Sequence, residues 1–181
     1  MDNIIITFED GSKCEYRRGV KLIDVINDIQ GDKDIICGSF NGRIISYDDV
    51  LTRNGKLVLY SINDATGSRI YEKGLIYLFN VSLVEALGKD TVVKVRNSID
   101  RGIFFEINKD VTEEDVKKIK EIMKDKVKKE IPFIKVDTTV EEALTYFREI
   151  KREDKIKTLF YDKNSFVTLY KFDGVYNYML G

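Results

Sequence analysis

The chain has 181 residues, 43% apolar and 34% charged, with 30 basic side chains against 31 acidic ones. That supports packed cores and one large or two small domains, and the near-balance of charge excludes a global field drawing the chain to nucleic acid or membrane, so such binding needs a local patch. It has no histidine, which excludes Ser-His and Cys-His nucleophilic sites and argues against a zinc hydrolase, since imidazole is the usual base and metal ligand near neutral pH. Cys14 and Cys37 fit neither a zinc pattern nor a CxxC motif, so two reduced thiols, no metal and no cofactor are expected. The apolar stretches, such as Gly74 to Val81, are too short to span a bilayer. The chain opens on a strand-like run with no leader pattern, so a cytoplasmic setting is expected.

Ile4, Ile6 and Phe8 alternate with Ile5 and Thr7, which predicts a strand. Asp10-Gly11 signals a hairpin turn, and Lys13 to Arg17 returns as the second strand. Leu22, Val25, Ile26 and Ile29 fall at helical spacing, predicting a helix over Lys21 to Gln30 with Gly31 as its cap. Ile35 to Phe40 and Arg43 to Ser46 flank Asn41-Gly42, a strong hairpin signal, and Lys56 to Ile62 supplies a last strand. The order ββαβββ suits a β-grasp, in which one helix crosses a curled mixed sheet.

Asn63 to Gly67 is small and polar, a predicted boundary between domains at 1–63 and 67–181. Beyond it, Ile70 to Leu87 has helical length and apolar character, with Gly88 as its cap. Thr91 to Arg96 and Gly102 to Ile107 read as a strand pair. Thr112 precedes three acids, an N-cap and dipole pattern that starts a helix with Val116, Ile119, Ile122, Met123 and Val127 on its apolar stripe. Seven lysines and six acids between Thr112 and Glu130 make its other face. That face reads either as a solvated surface or as a basic RNA-binding stripe of Lys117, Lys120, Lys124 and Lys128. Pro132 opens a strand from Phe133 to Val136, and Thr138 with Glu141 or Thr139 with Glu142 offers a capping box for the next helix. Phe166, Tyr170, Phe172, Tyr176 and Tyr178 mark a final strand pair around Asp173-Gly174. These aromatics either fill a core or stack on bases.

No GxxxxGK[ST] or GxGxxG occurs, so the phosphate-cradling backbone of a nucleotide site is missing here. Asp48-Asp49 and the Glu113 to Asp115 run read as a turn and a helix start.

Phe8-Glu9-Asp10-Gly11, Gly19-Val20-Lys21-Leu22 and Phe40-Asn41-Gly42-Arg43 resemble a TGS domain, the ubiquitin-like module of threonyl-tRNA synthetases and some GTPases. The stretch Arg101 to Ile107, then Thr112 to Asp115, Ile119 to Lys124, Ile131-Pro132-Phe133 and Glu141 to Leu144, resembles the second N-terminal domain of those synthetases, shared with alanyl-type editing proteins. The resemblance implies an α+β chain, a β-grasp followed by an editing-domain-like fold. It places the family's HxxxH pair on Lys73 and Tyr77 and its cysteine near Met179, with the final histidine beyond Gly181. None of the covered positions keeps its ligand, so a catalytic residue is not implied. Lys73, Tyr77 and Met179 are then either a degenerate cleft for a nucleotide or small ligand, or packing residues.

Ser68 to Tyr71 and Tyr176 to Gly181 are similar to bacterial nucleoside (uridine) kinase-like proteins, in which a TGS and a histidine-free synthetase-like domain precede an ATP-dependent P-loop kinase. The chain stops in a strand-like run, so an N-terminal, non-catalytic regulatory piece with a kinase domain in cis is expected. The alternative is an RNA- or tRNA-binding module, and a residual deacylase using Lys73 is the weakest reading.

Overall fold

The computed structural model describes residues 2–29, 34–99, 102–161 and 163–178, the side chains of 97–99 excepted. Gly31, Arg101 and Met179, each singled out from the sequence, lie outside the described residues. The chain divides into two compact units, Met1–Ile76 and Tyr77–Gly181.

In the first unit, β1 (Asn3–Thr7) and β2 (Lys13–Arg17) form a hairpin. Its turn holds Gly11 at φ 85, a conformation that glycine adopts without steric cost. A two-residue strand β3 (Val20–Lys21) leads into α1 (Leu22–Asp28), shorter than the spacing predicts. β4 (Ile35–Phe40) and β5 (Arg43–Ile45) follow, turning through Asn41 and Gly42 with φ 51 and 81, the left-handed pair a type I′ turn requires. β6 (Val50–Leu51) pairs with β3, and β7 (Gly55–Ser61) runs parallel to β1.

The sheet order is β2-β1-β7-β4-β5. α1 buries Leu22, Val25 and Ile26 against Ile4, Ile6, Leu57 and Phe40. That is the β-grasp arrangement, and each fully buried aliphatic side chain contributes about 1.5–3 kcal/mol. The β3/β6 pair went unread in the sequence because two-residue strands carry no periodicity.

α2 (Ala65–Leu87) begins in the first unit and ends in the second. It starts earlier than its apolar run suggests, because Asp64 accepts hydrogen bonds from Ser61 N (2.6 Å) and Ser61 Oγ (2.9 Å) and turns the polar stretch into its first turn.

The second unit continues with β8 (Val93–Ile99) and β9 (Gly102–Ile107), an antiparallel ribbon. α3 (Glu113–Lys128) follows, and its Thr112 and Asp115 form a reciprocal capping box. β10 (Ile134–Thr139) runs three residues further than the sequence pattern suggests and feeds α4 (Val140–Glu149), capped by Thr139 and Glu142. α5 (Glu153–Phe160) was not anticipated, since its N-cap, Arg152, makes no capping bond from its side chain. β11 (Phe166–Phe172) and β12 (Val175–Asn177) turn through Asp173 and Gly174, both at positive φ.

The sheet order here is β10-β11-β12, antiparallel throughout. Side chains alternate along β11. Val167 and Leu169 pack against Ala143 and Phe147 of α4 and Leu159 of α5. Phe172, on the opposite face, packs against Tyr77, Leu78 and Val81 of α2. The chain is therefore mixed α+β in both units, as the resemblance implies.

Candidate functional site

Tyr77 sits where α2 meets the β11–β12 hairpin. It is 2% exposed, and its hydroxyl lies 2.8 Å from the carbonyl oxygens of both Tyr170 and Val175, so its proton is donated to main chain. Its ring packs with Phe133 and Phe172 at centroid separations of 5.7 and 5.9 Å, and those two stack at 4.4 Å. Burial pushes the phenol pKa well above its ordinary value. Tyr77 thus fastens a helix to a hairpin. Lys73, one helical turn earlier, is half-buried and belongs to the first unit.

Two cations stand at the start of α5. Arg152 holds Asp154 in a fork at 2.8 and 2.7 Å, which raises the guanidinium and lowers the carboxyl. Lys155 donates to Tyr178 O at 2.9 Å, and burial, with the charge of Arg152 behind it, lowers its pKa. Tyr146 accepts from Tyr176 N at 3.0 Å and meets the Tyr176 ring edge-on at 5.2 Å. Tyr176 is thus a packing residue.

α3 presents two different lysine sets. Lys126 is 5% exposed and pairs with Glu85 at 2.6 Å and with Asp173, joining α3 to α2 and to the hairpin turn. Lys118 donates to Ala86 O at 3.1 Å, and Lys109 to Leu87 O at 2.8 Å, so lysines cap the negative end of α2. Lys117, Lys120, Lys124 and Lys128 are all exposed. Their spacing of three, four and four residues puts them in one stripe along the helix. Glu113 lies within that stripe and Glu121 beside it.

Four buried side-chain oxygens or hydroxyls have no partner among the described residues: Asn80 Oδ1, Ser82 Oγ, Thr91 Oγ1 and Asn177 Oδ1. Cys14 and Cys37 are free thiols, the second buried. Among the described residues no group of three or more Cys, Asp or Glu gathers at metal-binding distance. No helix among them is long and apolar enough to cross a membrane.

These features define a β-grasp unit followed by an α+β unit whose helix-to-sheet core is closed by tyrosine. No family model matches the chain. It is similar to the threonine–tRNA ligase of Desulforamulus reducens, 30% identical over 157 residues that make up 84% of this chain and 24% of that protein. The threonine–tRNA ligase of Caldanaerobacter subterraneus subsp. tengcongensis is 24% identical over 180 residues, 92% of this chain and 28% of that protein. Threonine–tRNA ligase 1 of Bacillus subtilis is 26% identical over 162 residues, 87% and 25% respectively. The chain spans about a quarter of the length of the curated relatives it matches.

Proposed function

We propose that the chain is a non-hydrolytic RNA-binding module of the tRNA-ligase type. The observation that carries this reading is the exposed stripe of Lys117, Lys120, Lys124 and Lys128 on α3, a ladder of cations suited to a phosphate backbone. The likeness to proteins named threonine–tRNA ligases points to tRNA as the RNA. With no histidine in the chain and the Tyr77 hydroxyl engaged by two carbonyls, the positions where the resemblance puts the editing pair lack the imidazole bases that ester hydrolysis would use there.

The test is retention of tRNA as salt is raised. Four neutralised phosphates give a slope of log affinity on log salt of about −3 to −4. Charge reversal of all four lysines to Glu abolishes binding at low salt. Each single Lys→Gln change at these positions shifts stability by no more than about 0.5 kcal/mol, because the side chains bury nothing, so loss of binding in those variants is not loss of fold. Equal retention of parent and variant sinks the proposal.

A second reading is the regulatory one. The chain is then the front of a TGS-containing nucleoside (uridine) kinase-like protein, with a nucleotide or small ligand held at the positions of Lys73, Tyr77 and Met179. It is supported by the resemblance at Ser68 to Tyr71 and by the lost editing ligands. The Tyr77 hydroxyl is already engaged by two main-chain carbonyls, which weighs against this reading. A GxxxxGK[ST] motif in the adjoining reading frame supports this parent, and a tRNA-ligase catalytic domain there removes it.

A further inference from the structure

Helix α5 is held from beneath and bare at its end. Leu159 is fully buried against Ala143 and Phe147 of α4, whereas the next two residues, Phe160 and Tyr161, are 72% and 81% exposed. They are the most exposed of the large hydrophobic side chains among the described residues. Their rings meet edge to face, with centroids 5.6 Å apart and planes at 89°. Each ring therefore keeps a face open to solvent. At about 150–250 Å² per aromatic side chain, the pair leaves about 300 Å² of contiguous aromatic surface, the size at which a patch on a monomer is often functional. Tyr161, the C-cap of α5, keeps a right-handed helical conformation. Lys157 lies three residues before Phe160 and four before Tyr161, so it neighbours both on the helix surface. Lys163 follows two residues after Tyr161. Both lysines are exposed, and neither takes part in an ion pair among the described residues.

We infer that the Phe160–Tyr161 pair is a stacking platform for an unpaired stretch of RNA, with Lys157 and Lys163 on its phosphates. Every base has a π-face, so stacking on aromatic rings tolerates any sequence. Perpendicular rings in contact cannot sandwich a base between them. They present two faces at a corner, which suits bases splayed from a single strand and not the stacked bases of a duplex. Charge points the same way. Between Lys151 and Lys163 five basic side chains stand against three acidic ones, in a chain whose net charge is −1. One of the three acids, Asp154, is taken up by Arg152. A polyanion with flat rings is complementary to both the charge and the exposed faces. Two aromatic side chains at the end of a fixed helix also lose little conformational entropy on binding, since each has only two torsions. Resting on the RNA-binding reading above, the pair gives that module a base-contacting element apart from the α3 lysines, and with it a preference for RNA that carries unpaired nucleotides.

The experiment measures binding of a short oligoadenylate, an oligouridylate of equal length and a blunt RNA duplex to the parent chain and to the double variant Phe160→Ala/Tyr161→Ala. Both side chains are exposed, so the variant should melt within about two degrees of the parent. The exchange variant Phe160→Tyr/Tyr161→Phe keeps both rings and serves as the control. The alanine pair is expected to weaken both single strands about tenfold and the duplex by less than about twofold, while the exchange variant binds like the parent. Lys157→Gln lowers the slope of log affinity on log salt for the single strands by about 0.7. Single-strand affinity that survives in the alanine variant yet is lost on charge reversal of the α3 lysines overturns the platform and leaves the α3 reading standing. Capture by phosphatidylserine vesicles that depends on the two rings, with RNA binding that does not, overturns it and assigns the patch to a lipid surface. Absence of all RNA binding by the parent overturns both the platform and the α3 reading.

Discussion

The two units use similar apolar content in different ways. In the first, one helix and one five-stranded sheet close a single core, from Ile4 and Ile6 through Leu22 to Leu57. In the second, helices α4 and α5 fill one face of a three-stranded sheet while α2 covers only one end of the other face. The exposed phenylalanines of the described residues, Phe104, Phe133, Phe160 and Phe166, all belong to the second unit. So does the exposed lysine stripe of α3, which Glu113 joins at one end. Both units leave large aliphatic or tyrosine side chains exposed, such as Ile5 and Val50 in the first and Val116 and Val127 in the second, so the difference lies in how the sheets are covered.

The contrast is broken most forcefully through the cores. Phe147 is 1% exposed at the centre of the α4–α5 core, and Phe147→Ala should cost about 3–5 kcal/mol in urea denaturation. A loss under about 1 kcal/mol would mean that this core is not packed as described.

A smaller effect is expected at the fastening between α2 and the hairpin. Tyr77→Phe keeps the ring contacts but strips the donor from the carbonyls of Tyr170 and Val175, and should cost about 1–3 kcal/mol. If stability is unchanged, the hydroxyl is not structural, and Tyr77 becomes available to a ligand as the resemblance implied.

The smallest effect is in pH dependence. Burial lowers the Lys155 pKa from 10.5, so the unfolded chain binds more protons than the folded one just below that value. Its contribution to stability therefore rises with pH across the window between the lowered and the ordinary value. Lys155→Met should flatten this part of the stability–pH curve, and an unaltered slope would show that Lys155 is solvated.

Much of this was readable in the chain. The Asn41-Gly42 and Asp173-Gly174 turns and the Thr112 and Thr139 caps announce themselves because their signals are local, fixed by the φ and hydrogen bonds of neighbouring residues. α5 was missed because Arg152 caps with no side-chain bond. The candidate site was legible only as a list of aromatics. Phe166 and Phe172 have the same parity on one strand, and only the position of α2 decides which is buried. Tyr77 reads from the sequence as either a cleft or a packing residue, and its hydroxyl partners, carbonyls 93 and 98 residues away, lie beyond the reach of any spacing rule. The three substitutions above test those non-local choices.

The central proposal is that the second unit holds tRNA without hydrolysing its aminoacyl ester. Aminoacyl-tRNA mixed with excess chain at low salt tests both halves at once, with retention and ester half-life read from the same sample. The account predicts bound tRNA whose ester decays as it does in buffer. Accelerated release of the amino acid, or no retention at all, would contradict it.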